Sequence, residues 1–91
     1  MKARIHAIIK GRVQGVFFRT FVKNLAESIG ATGWIKNNPD GTVELVAEGE
    51  KTALQELLNK CKQGPALARV DVIESKWKKP TGEFKKFWVT Y

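Results

Sequence analysis

Gly11, Gly15 and Arg19 stand four residues apart in the segment Gly11-Arg12-Val13-Gln14-Gly15-Val16-Phe17-Phe18-Arg19. A short glycine loop that runs into a helix presents unpaired N–H groups and about half a positive charge, and so accepts an anion. Gly15 lets the backbone approach a ligand with no Cβ in between. Arg19 falls in the first turn of the helix that follows, where the helix dipole disfavours a cation. An anionic ligand removes that mismatch, and an arginine can grip a phosphate through two parallel hydrogen bonds. The same residues also read as a plain strand-to-helix turn with a surface arginine, and on their own they leave both readings open. Neither the P-loop pattern nor GxGxxG is present, so a nucleotide is not the indicated ligand.

The other reactive side chains are few. Cys61 is the one cysteine and His6 the one histidine. They form no disulfide and no metal pair, and Cys61 falls on an apolar repeat that predicts a buried structural thiol. His6 is expected on a sheet face, Trp34, Trp77 and Trp88 in packing or on sheet faces, and Asp40 in a turn. The formal net charge is +7. It favours anionic partners, whether phosphorylated metabolites, nucleic acid or acidic membrane. Lys76, Lys78, Lys79, Lys85 and Lys86 account for part of it, and read as a guard against pairing at a sheet edge.

The elements that must hold the loop follow from periodicity. Arg4 to Lys10 alternates, with Ile5, Ala7 and Ile9 facing a core. Phe18, Phe21, Val22, Leu25, Ala26 and Ile29 make one helical stripe, closed by Gly30. Thr32 to Asn37 and Thr42 to Glu48 form a hairpin around Asn38-Pro39-Asp40-Gly41. Thr42, Glu44 and Glu48 are expected to face solvent, and Gly49 to end the strand. A second helix runs from about Glu50 to Lys62, stopped by Gly64-Pro65. Arg69 to Trp77 and Phe84 to Tyr91 supply the last strands. The order predicts an α+β, ferredoxin-like split βαβ sandwich, with a mainly antiparallel sheet of four to five strands and two helices on one face. One domain is expected to span residues 1–91. The balance of 43% apolar and 27% charged residues is that of a globular protein. No apolar run reaches the length of a membrane span and no secretory leader is evident, so a cytoplasmic location is expected.

Gly11-Arg12-Val13-Gln14-Gly15-Val16, one variable residue, then Phe18-Arg19 resembles the first signature of the acylphosphatase family. Gly33-Trp34-Ile35-Lys36-Asn37, followed by Asp40-Gly41-Thr42-Val43-Glu44, resembles its second. Both fall in the expected order, and the resemblance covers essentially the whole chain. It implies hydrolysis of the carboxyl–phosphate bond of acylphosphates to a carboxylate and inorganic phosphate, with no metal and no cofactor. It also implies roles: Arg19 binds phosphate, Asn37 positions the attacking water, and Gln14, Gly15, Val16, Phe17 and Phe18 form the backbone cradle. Phe17 stands where the family commonly has a small residue, and could narrow the mouth or meet the acyl group. Asn38 adjoins Asn37 as a possible alternative for its role.

The expected partners are a small acylphosphate and inorganic phosphate, with no specific nucleic acid, no membrane and a monomeric state. RNA-recognition domains share the element order, but need outward aromatics on their central strands. The segment Thr42 to Glu48 has none and carries two acids. A regulatory ligand-binding domain is the other rival, since this fold hosts several functions.

Overall fold

The alternation around Ile5, Ala7 and Ile9 extends in both directions into an eleven-residue strand, β1 (Lys2–Arg12). In the computed structural model, which describes residues 1–90, β1 is followed by α1 (Phe18–Ser28), β2 (Thr32–Asn37), β3 (Val43–Glu50), α2 (Lys51–Gln63), β4 (Arg69–Lys78) and β5 (Phe87–Thr90). Tyr91, expected at the end of the last strand, lies outside the described residues.

The five strands form one sheet in the order β4-β1-β3-β2-β5. β1 pairs antiparallel with both β3 and β4, and β2 antiparallel with β3. β5 joins the far edge parallel to β2, with Gly33 opposite Phe87. Alternate residues of the strands, among them Ile5, Ile9, Ile35, Val43 and Leu45, pack with Val22 and Ala26 of α1 and Leu54, Leu57 and Cys61 of α2. The two helical stripes and one side of the sheet thus close a single core, which is the ferredoxin-like α+β arrangement the periodicity predicts. Each Val, Leu or Ile side chain among them contributes about 1.5–3 kcal/mol on removal from water. Burial pushes the Cys61 thiol up to about 12, as suits a core residue and not a nucleophile.

Beyond the longer β1, two strand ends differ from expectation by two residues or more. β3 does not stop before Gly49: the strand runs on to Glu50 because Gly49 pairs with Ala3 and Glu50 with Lys2. β5 starts at Phe87, since 79–86 forms a crossover that carries the chain from the β4 edge toward the β5 edge.

That crossover also corrects the placement of Glu48. Glu48 lies on the side of the sheet away from the helices, yet it is only 6% exposed. Its carboxylate accepts from the N–H of Thr81 (2.8 Å), the N–H of Gly82 (3.0 Å), Thr81 Oγ1 (3.1 Å) and Arg4 Nη1 (3.0 Å). The Arg4 guanidinium in turn lies 5.0 Å from the centre of the Phe84 ring. Desolvation pushes the Glu48 carboxyl up, but these donors outweigh it and the net shift is downward. A carboxyl held below its ordinary value stabilises the fold above the ordinary carboxylate range, and that contribution is lost as pH falls through the depressed value. Glu48→Ala should therefore lower unfolding free energy by about 1–3 kcal/mol at neutral pH. In urea titrations across pH, Glu48→Gln should show a flatter acid limb than the parent; an equally steep limb would remove Glu48 from the account.

The rest of this face mixes polar and aromatic side chains with Ile8 and Val46. His6 Nε2 lies 2.7 Å from Glu44, whose carboxyl the His6 hydrogen bond holds below its usual range. Trp34 and Trp88 sit side by side in register, with Lys36 and Lys86 over their respective rings. Trp77 is instead on β4, an edge strand, beneath Lys51.

Candidate active site

The segment between β1 and α1 begins where β1 bends. A register shift falls between Lys10 and Gly11, and a Cβ at Gly11 would stand 2.1 Å from the carbonyl oxygen of Arg69 on β4. Only glycine lets the two strands approach there. Val13 turns inward and is buried. Gln14 reaches across to the hairpin, where its Nε2 donates to the carbonyls of Asn38 (2.8 Å) and Thr42 (2.9 Å). This side chain ties the first loop to the β2–β3 turn, and so fixes the distance between the two segments that carry the family signatures.

Beyond Gln14 the backbone takes positive φ at Gly15 (73°) and again at Phe17 (64°), with Val16 buried between them. Such alternation turns successive N–H groups toward one side, as in anion-binding nests. Gly15 has open space where a Cβ would be, so a ligand can come up to the main chain. Phe17 is the N-cap of α1 and makes no side-chain cap, and no acid stands in the first turn. The leading N–H groups of α1 thus lack intrahelical acceptors. Phe17 is the one non-glycine residue with positive φ among those described. A phenylalanine in this conformation costs about 1–3 kcal/mol.

These features meet in a pocket of about 220 Å³ lined by Val13, Gly15, Phe17, Phe18, Arg19, Thr20 and Asn37. Arg19 enters from the first turn of α1, and its Nη1 donates to the carbonyl of Thr90 on β5 (3.2 Å). Asn37 enters from the end of β2. Its Oδ1 is buried and accepts no hydrogen bond from the described residues. A buried unpaired acceptor costs about 1–3 kcal/mol, so it persists only where something else requires it. The neighbouring Asn38 is differently employed. Its Nδ2 donates to Thr42 Oγ1 (3.1 Å), and its backbone N–H to the Thr42 carbonyl (2.8 Å). Asp40 accepts from the hydroxyl and N–H of Thr42, which hold its carboxyl below the usual range. Both residues therefore serve the turn.

Of the residues that the sequence marks for the site, Gly15, Phe17, Phe18, Arg19 and Asn37 share this pocket. Gln14 and Val16 do not line it; one braces the turn and the other anchors the loop in the core. Val13 and Thr20 join the wall without having been singled out. Thr20 has a local signal in its place in the first turn of α1. The Thr90 carbonyl has none, because it is 71 residues from Arg19. Larger hollows exist, such as one of about 470 Å³ bordered by Lys2, Glu48, Thr81 and Phe84. That one lies at the opposite end of the sheet, and its Glu48 carboxylate is already saturated with donors. Among the described residues, no group of three or more His, Cys, Asp or Glu is placed to hold a metal ion.

A guanidinium, the uncapped start of a helix and a carboxamide around one small pocket on a ferredoxin-like fold are groups suited to a tetrahedral oxyanion. Relatives narrow this further. The acylphosphatase family profile matches residues 5–89. An acylphosphatase of Roseiflexus sp. (strain RS-1) is 46% identical over 89 residues, which are 98% of this chain and 96% of that protein. The crystal structure of acylphosphatase from Bacillus subtilis is 36% identical, with a TM-score of 0.94 and full coverage of both chains. Full-length HypF, in a phosphate- and nucleotide-bound form, contains a similar fold at a TM-score of 0.91 and 28% identity, covering all of this chain and 12% of that one. The chain belongs to the acylphosphatase family, and its activity is the hydrolysis of acylphosphates.

Proposed function

We propose that the pocket between α1 and the end of β2 is where this hydrolysis takes place. In this reading Arg19 and the 14–18 backbone hold the phosphoryl group, and Asn37 orients the attacking water. The observation that carries it is the convergence of Arg19, Asn37 and the uncapped start of α1 on one 220 Å³ pocket.

The chemistry asks little more of the protein. Phosphoryl transfer depends on positioning and charge stabilisation, with few covalent demands on the enzyme. Water oxygen bonds to phosphorus as the bond from phosphorus to the acyl oxygen breaks. The carboxylate leaves as a stable anion, so no side-chain acid is needed to protonate it. The water proton passes to a phosphoryl oxygen of the substrate. Asn37 is no base, but its carbonyl oxygen can accept from the water and hold it in line. Oδ1, with no donor among the described residues, supports that assignment, and the engagement of Asn38 in the turn favours Asn37 over its neighbour.

The proposal extends to a single domain over residues 1–91 that acts as a cytoplasmic monomer, without metal or cofactor and without a specific nucleic-acid partner. No helix among the described residues is long and apolar enough to cross a membrane. The outward side of the central strand β3 carries Glu44, Val46 and Glu48, with no aromatic on which a base could stack. The direct test is hydrolysis of benzoyl phosphate and acetyl phosphate with and without excess inorganic phosphate. Turnover should be slowed competitively by phosphate and retained in EDTA. Turnover that phosphate does not compete with would move the reaction away from this pocket, and loss in EDTA would overturn the metal-free mechanism.

A further inference from the structure

Phe17 is 77% exposed, and its ring belongs neither to the core nor to the ring–ring contact between Phe18 and Phe21. Its backbone carbonyl accepts the first helical hydrogen bond from Phe21, which any residue could do. Its φ of 64° and ψ of 23° lie in the left-handed region, where glycine or asparagine would sit with less strain. The fold thus keeps a large apolar ring in a costly conformation, in water, at the edge of the pocket. Backbone strain of this kind gathers at ligand sites.

We infer that Phe17 is the acyl-recognition residue of the site, and that it selects acylphosphates whose acyl group presents a flat or extended apolar surface over those with a small one. The inference rests on the placement of the phosphoryl group against Arg19 and the loop. With phosphorus held there, the acyl group must point outward past the pocket rim. The other apolar lining residues, Val13 and Phe18, are buried and form the floor. Among the described residues that line the pocket, Phe17 is the exposed apolar group at the rim, so an aryl or long aliphatic acyl group stacks on its ring while an acetyl group is too short to cover it. Inorganic phosphate has no acyl part, and the ring adds nothing to its binding.

The test compares kcat/KM for benzoyl phosphate and acetyl phosphate in the parent, Phe17→Gly and Phe17→Tyr, together with thermal unfolding. In Phe17→Gly the benzoyl-to-acetyl ratio should fall about three- to tenfold, the range that a lost aromatic contact converts to. Its unfolding midpoint should rise by a few degrees as the left-handed strain is relieved. Phe17→Tyr keeps the ring and should keep the ratio. A ratio unchanged within twofold in Phe17→Gly would overturn the inference. So would an equal loss on both substrates, which would assign Phe17 to the cradle alone, or a fall in the midpoint, which would remove the cost. If the parent cleaves both substrates without competition by phosphate, the placement of the reaction fails first, and that result is distinct from any change in ratio.

Discussion

Arg19→Ala is expected to lower kcat/KM for an acylphosphate by about 10³-fold or more, and to weaken competitive inhibition by inorganic phosphate in the same variant. The size follows from what a positioned arginine contributes when charge redistributes over phosphoryl oxygens, about 10³- to 10⁵-fold in other phosphoryl-transfer sites. Ground-state binding falls too, because the product carries the same oxygens that the guanidinium holds. The Thr90 carbonyl holds Nη1 from β5, so the fork is already oriented before a ligand arrives and little reorganisation is left for the reaction. Arg19→Lys keeps the charge but not the planar fork, and should fall between alanine and the parent. Steady-state kinetics with phosphate as inhibitor checks both effects. An alanine variant with near-parent turnover would remove Arg19 from the mechanism.

Asn37→Ala is expected to behave differently. Turnover should drop by about 10²- to 10³-fold, the effect of removing one well-placed polar group from a reacting centre. Inhibition by inorganic phosphate should persist, since Asn37 is assigned to water and not to the phosphoryl group. The stability response separates this from a folding defect. Asn37 Oδ1 accepts no hydrogen bond from the described residues, so its removal breaks no such bond in the fold, and the unfolding midpoint should stay close to that of the parent. A stable, phosphate-inhibited variant with undiminished turnover would sink the water-positioning role. Loss of phosphate inhibition alongside turnover would instead join Asn37 to Arg19 in the phosphate grip.

The contrast between these residues shows what a linear sequence can carry. β2 begins at Thr32 and ends at Asn37 as its pattern predicts, because local alternation and the Asn38-Pro39-Asp40-Gly41 turn act over a few residues. The stripe from Phe18 to Ala26 likewise fixes α1 and its buried side. Both family signatures sit on such locally determined pieces, and Gln14 then draws them together. Glu48 was not legible in this way. Alternation places it on the side away from the helices, but not beneath a crossover that begins some thirty residues later in the chain. Gly49 reads locally as a breaker, and only its pairing with Ala3 makes it strand. The left-handed backbone at Phe17 was hidden for the opposite reason. Its side chain argues against that conformation, and the loop imposes it nevertheless.

The parallel pairing of β2 with β5 bears on how the site comes into being. Gly33 meets Phe87, and Arg19 meets Thr90, so the arginine is oriented by some of the most distant pairings in the chain. Contacts of that kind require large loops to close, at an entropic cost that contacts between sequence neighbours avoid. The helices and the β2–β3 hairpin can form early from neighbours in sequence. The phosphate grip cannot, since the carbonyl that holds Arg19 is delivered only when β5 docks on the sheet. On the proposed assignment of Arg19, catalytic competence is therefore a property of the completed topology, and a chain with its secondary structure in place but β5 undocked should not yet turn over an acylphosphate.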